Sequence, residues 1–95
     1  MLVGVLRLEL TVHDAFSLKE KRSVVRRVID KVRNRFKVAV GEVEDQDILT
    51  SAVIGVALVG SDRRVLNSVI DRIVAFVDQE GSAELTTYEF DIFEP

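Results

Sequence analysis

Residues Leu2 to Val12 alternate between apolar and polar positions. Leu6, Leu8, Leu10 and Val12 fall on one side, Arg7, Glu9 and Thr11 on the other. A period of two marks a half-buried strand. After a connection over His13 to Phe16, Ser17-Leu18-Lys19-Glu20 has the spacing of a capping box. The Ser17 hydroxyl and the Glu20 carboxylate can each satisfy an N–H that a first helical turn leaves without a partner. Apolar residues at 18, 25, 28, 29, 32 and 36 then share one narrow face at about 100° per residue, predicting a helix.

Lys37 to Glu44 returns to strand character through Val38, Val40 and Val43, and Glu44 to Thr50 reads as a polar, acidic turn. Ala52 to Gly60 is apolar on both faces, with Ala52, Ile54, Val56 and Leu58 set against Val53, Gly55, Ala57 and Val59. That is the pattern of a central strand. Ser61-Asp62 caps a second helix with the apolar set Leu66, Val69, Ile70, Ile73, Val74 and Val77, and Gly81 stands where a left-handed cap belongs. Leu85 to Phe93 closes with alternating Tyr88, Phe90 and Ile92. The order strand-helix-strand-strand-helix-strand predicts an α+β fold, a ferredoxin-like βαββαβ two-layer sandwich. Right-handed crossovers put both helices on one face of a four-stranded antiparallel sheet, with the first and third strands in the middle. Residues 1–95 form a single domain, because this length leaves no room for a second core.

Composition narrows the classes. A chain that is 47% hydrophobic and 31% charged, with one Pro, is globular and not disordered. The longest apolar stretch, Ala52 to Val59, is too short to span a bilayer. Met1 to Leu6 lacks the basic lead of a secretory signal, so a cytoplasmic location with no membrane partner is expected. The absence of Cys removes disulfides, thiolate metal sites and cysteine nucleophiles. Net charge is −3, yet the charges are segregated. Leu18 to Lys37 carries nine basic residues against two acidic, a net +7, while the remaining four basic and fourteen acidic residues leave −10 elsewhere. The field is dipolar.

Ser17-Leu18-Lys19-Glu20-Lys21-Arg22, followed by Val24-Val25, resembles the signature of the YlxP-like family of small uncharacterised bacterial proteins. Val3 to Leu10, Asn34-Arg35-Phe36, Ala39 to Val43, Gln46-Asp47 and Ala52 to Ala57 extend the resemblance over nearly the whole chain. At Ile48-Leu49, where that family often carries an aromatic, both residues are aliphatic, which puts an aromatic contact in that loop in doubt. The resemblance implies a ferredoxin-like fold and genes near those of translation-initiation and ribosome-maturation factors. It implies no established activity, cofactor or catalytic residue.

The basic first helix is the strongest candidate site. Lys19, Arg22, Arg26 and Arg33 lie roughly 40° to 100° from Leu18 around the helix, beside the apolar face. Arg27, Lys31 and Arg35 make a second ridge on the opposite flank. Like charges at 22/26, 27/31 and 31/35 repel by about 0.2–0.5 kcal/mol per pair, so stability alone does not account for the pattern. Phosphate contact by Lys19, Arg22, Arg26, Arg27, Lys31 and Arg33 would, with RNA or the ribosome as partner. The plainer alternative is a solvated face neutralised by this chain's own acids or by another copy.

The open face of the sheet offers no aromatic on its two central strands, which argues against base stacking there. Its aliphatic side chains, Val3, Val5, Val53 and Ala57 among them, are expected to form a homo-oligomer interface. The alternative to RNA binding is therefore a homo-oligomeric protein-interaction module with no nucleic-acid partner.

Glu42, Glu44, Asp45 and Asp47 could hold a hard cation. Glu42 and Glu44 are expected on one strand face with nothing fixing further oxygens, so a solvated turn braced by Gln46-Asp47 is the better expectation, and no metal is assigned. His13 stands near Asp14 and Ser17, but Ser17 is committed to the helix cap, leaving no nucleophile for a general base. The scattered glycines fit no phosphate loop. No enzyme activity, catalytic residue or cofactor is expected.

Overall fold

A computed structural model describes all residues, Met1 to Pro95. The elements run β1 (Leu2–Thr11), α1 (Leu18–Phe36), β2 (Ala39–Glu44), β3 (Ser51–Gly60), α2 (Arg63–Glu80) and β4 (Glu84–Phe93). The strands form one sheet in the order β2-β3-β1-β4, every neighbouring pair antiparallel. This is the ferredoxin-like βαββαβ sandwich, with β1 and β3 in the centre.

Periodicity becomes packing on one face of that sheet. Leu6, Leu8 and Leu10 of β1 and Ala52, Ile54 and Val56 of β3 join Val25, Val28 and Val32 of α1 and Leu66, Ile70, Ile73 and Val77 of α2 in one buried cluster. Both helices therefore cover the same face.

Caps fix the helix ends. Ser17 Oγ accepts from Glu20 N at 3.1 Å, while a Glu20 carboxylate oxygen reaches the Phe16 N–H at 3.3 Å, one residue before the N–H a standard capping box would satisfy. Asp62, not Ser61, caps α2, accepting from Arg64 N at 2.9 Å. Gly81 ends α2 at φ 78, a left-handed position where a side chain is strained.

Two boundaries differ from expectation. Lys37 is not the start of a strand: it sits at φ 56, ψ 45 as the left-handed cap of α1, its N–H bonded to Arg33 O. β2 therefore begins at Ala39. Val12, expected to end the first strand, gives its N–H to Thr50 O at 2.9 Å as the chain leaves the sheet.

A bulge in β2 reshapes the acidic segment. The pairing steps from Glu42 opposite Ile54 to Glu44 opposite Val53, so one residue is inserted. Glu42 and Glu44 were expected to share a face, and the insertion puts them on opposite ones. Val43 is pressed over Gly55, where an added Cβ would stand 2.9 Å from a Val43 methyl carbon. Any side chain at 55 would force Val43 to shift.

Candidate nucleic-acid interface

The two basic ridges of α1 meet different surroundings. On the flank facing α2, Lys31 Nζ lies 2.8 Å from Glu80 Oε2, and the Glu80 side chain is only 4% exposed. Burial opposes ionisation of Glu80, but the Lys31 ammonium and hydrogen bonds from the Ser82 hydroxyl and N–H outweigh it together, leaving the carboxyl below its ordinary range. Arg27 reaches Ser82 Oγ at 3.5 Å. Arg35 sits 5.1 Å from the centre of the Phe76 ring, itself edge-on to Phe36 at 5.7 Å. Each residue of this ridge has a contact within the fold, although all three remain exposed.

The other flank is free at three of its four basic positions. Lys19, Arg22 and Arg26 are exposed, and none makes a hydrogen bond or an ion pair. Arg33 continues the stripe, bonding Asp30 at 3.3 Å and the Val40 carbonyl at 3.0 Å. That second bond fixes where the stripe lies: along the outer edge of the sheet, beside β2. Of the six candidate basic residues, the fold thus groups Lys19, Arg22, Arg26 and Arg33, and separates Arg27 and Lys31 from them.

The remaining basic residue of the Ser17–Arg22 motif has another place. Lys21 is buried in the core, its ammonium bonded to the carbonyls of Asp45 and Gln46 and 3.2 Å from Glu42 Oε2. It pins the β2–β3 turn to α1. The signal was present, because position 21 falls on the apolar stripe, three after Leu18 and four before Val25. Asp45 is held at φ 61 and accepts from Ser51 Oγ at 2.9 Å. Its neighbours do not converge on a cation, and no set of three or more His, Asp or Glu side chains is placed to hold a metal.

The open sheet face differs from the smooth aliphatic surface expected. Arg7 stands in its middle, bonding Glu44 at 2.9 Å and Glu9, with Glu89 at 3.6 Å. Glu44, then Glu9, holds the guanidinium more firmly charged than usual, and Arg7 in turn lowers the Glu44 carboxyl below its ordinary range. Val53 was expected at an oligomer interface, but only 2% of it is exposed within the single chain. It lies between Glu9 and Glu44, its partners on the two neighbouring strands, and Arg7 bonds both of them. Val5, Ala57 and Val59 remain exposed and Val3 is half-buried.

His13 Nε2 lies 2.7 Å from Glu84 Oε1 at the start of β4, so it is turned away from Ser17. No helix is long and apolar enough to cross a membrane.

Comparison with known proteins agrees with the architecture. The chain is 35% identical over 85 residues to the uncharacterized protein YlxP of Bacillus subtilis (strain 168), covering 90% of this chain and 92% of that one. Among solved structures, the de novo designed protein Foldit4 superposes with a TM-score of 0.53 at 13% identity, over 100% of this chain and 99% of that one. A dimeric protein of unknown function and ferredoxin-like fold from Bacteroides fragilis NCTC 9343 matches at a TM-score of 0.46 and 12% identity, covering 98% and 95% of the two chains. That likeness is too distant to carry its dimeric state across. The model of the family described as "Protein of unknown function (DUF503)" matches residues 3–90, and the chain belongs to that family.

Proposed function

We propose that this chain is an RNA-binding module that lays the β2-side flank of α1 along a phosphate backbone, on the ribosome or on free structured RNA. The observation that carries this reading is the unequal use of the two ridges. The chain neutralises or stacks Lys31 and Arg35 internally, yet leaves Lys19, Arg22 and Arg26 without a partner despite its excess of acids. From Lys19 to Arg33 the stripe runs about 21 Å along the helix, long enough to follow several phosphates. The central strands of the open face carry no aromatic, which favours a shape-read duplex or folded RNA over splayed single-stranded bases.

The test is fluorescence anisotropy of a labelled RNA hairpin. Binding is expected at about 50 mM salt and falls steeply toward about 200 mM, as counterion release requires. Wild-type protein that fails to bind at the lower salt overturns the proposal.

A second reading, a self-associating interaction module without nucleic acid, is favoured by the exposed Val5, Val43 and Val59 on the open face. Light scattering distinguishes it: a concentration-dependent dimer without RNA affinity supports this reading against the first.

A further inference from the structure

The two edges of the sheet are finished differently. β2 is six residues long and bulged, and its backbone is engaged by side chains: Arg33 takes the Val40 carbonyl and Gln46 the Glu42 carbonyl. These are the devices that blunt a strand edge. β4 has ten residues with no Lys, Arg or Pro, and its irregularity is confined to its start, near Leu85. From Thr87 to Asp91 its pairing with β1 is regular and no side chain bonds its backbone; Arg63 engages it only at Ile92.

The flank of that edge is a groove. Tyr88 and Phe90 pair with Leu8 and Leu6 and so point to the helix-covered side, yet each is 45% exposed. α2 stops short of covering them. Between strand and helix lie two adjoining depressions that share Asp71: one walled by Val74 and Asp78 of α2 beside Tyr88, the other beside Phe90 and Arg63. Arg63 bonds the Ile92 carbonyl at 2.9 Å, closing the far end. Arg64 lies beside Arg63 at that end; away from it the charges are acidic, with Asp71 and Asp78 in the groove and, on the open face, Asp91 and Glu89, the latter 3.6 Å from Arg7.

We propose that β4 and this groove take a basic, extended peptide segment of another protein as a fifth strand. Backbone pairing supplies affinity in such strand addition, and alternate side chains supply specificity. Side chains on the groove side meet the Tyr88 and Phe90 rings, which suit aliphatic residues or a stacked Arg. Side chains on the open side meet Glu89 and Asp91, which call for Lys or Arg. A second copy does not fit: two β4 edges would bring together strands that each carry Glu84, Glu89 and Asp91 and no basic residue.

Tyr88 is the single Tyr in a chain without Trp, so its fluorescence reports directly on the groove. The probe is an acetylated peptide of about eight residues, strand length, alternating Val and Lys. Titration to about 1 mM, the weak end of specific binding, should change Tyr88 emission and slow amide exchange across β4 but not β2. Glu89→Lys and Asp91→Lys, on the open side that the peptide lysines face, should each weaken binding at least tenfold. The same peptide N-methylated at alternate residues, which keeps its charge but cannot pair with a strand, should not bind. Lys19→Glu, on the opposite edge, should leave peptide binding unchanged whatever it does to RNA. Equal binding of the N-methylated peptide, equal binding of a Val-Glu peptide, or no response at Tyr88 overturns the proposal. Protection of β4 that grows with protein concentration in the absence of peptide overturns it in favour of a second copy.

Discussion

Lys21 holds its ammonium 3.2 Å from the Glu42 carboxylate with neither solvent contact for the lysine nor hydrogen-bond geometry between the two. The lysine's donors go instead to the carbonyls of Asp45 and Gln46, so the pair couples α1 to the turn after β2. Removing one member of a buried pair strands the other. Lys21→Met should cost about 3–5 kcal/mol in urea unfolding. Glu42→Leu introduced together with Lys21→Met should recover part of that loss. Recovery by the double variant separates the stranded charge from simple loss of volume.

The acid limb of stability should report the α1–α2 contact. Glu80 has a folded pKa below its ordinary value of 4.5, so its ionised form is favoured by folding. The stabilisation is present above about pH 4.5 and is lost as pH falls through the lower, folded value. Urea midpoints measured from pH 6 to pH 3 should decline over this window. Lys31→Met should flatten that decline. On the open face, the Glu44 carboxyl should titrate below 4.5 by NMR and return toward it in Arg7→Met.

Element order, sheet topology and the core were legible because apolar period and cap chemistry pointed the same way at each segment. What escaped were features set by contacts between distant segments. Lys21 enters the sequence reading only as one of nine basic residues, because a lysine on an apolar stripe buries only if carbonyls from another element meet it. Val53 was placed on a free face because alternation tells which side a residue occupies, not whether Glu9, Arg7 and Glu44 close around it. The bulge falls at Val43, which is neither glycine nor proline; its traces are Gly41, two residues earlier, and Gly55, opposite Gly41 on the neighbouring strand.

Lys37 occupies a left-handed conformation at the end of α1 that disfavours any residue with a Cβ. Lys37→Gly should raise stability by about 1 kcal/mol, offset in part by a more flexible unfolded chain. Gly81→Ala, at φ 78, should do the opposite by a similar amount. Thermal unfolding of the two variants checks both signs.

The revised place of Val53 separates folding from association on one sheet face. Val53→Glu buries a carboxylate beside Glu9 and Glu44 and should destabilise the monomer by several kcal/mol. Val5→Glu and Ala57→Glu lie at exposed positions and should leave unfolding nearly unchanged. If the open face mediates self-association, these last two should abolish it with the fold intact, as read by circular dichroism beside light scattering.

The split between the basic ridges makes the sharpest prediction for RNA. Lys19→Glu, Arg22→Glu and Arg26→Glu remove side chains with no partner in the fold, so stability should stay within about 0.5 kcal/mol, as for most surface changes. Each should weaken hairpin binding similarly across sequences and lower the log–log salt slope by about one unit. Lys31→Glu reverses the roles. It breaks the contact with the nearly buried Glu80 and sets two carboxylates together, so it should destabilise the protein. Its salt slope for RNA should remain that of the wild type, because Lys31 faces α2 and not the β2 edge. Were Lys31→Glu to reduce the slope as much as Arg22→Glu, the binding surface would have to span both flanks of α1. Were none of the four variants to change it, the basic helix would not be the RNA-binding surface at all.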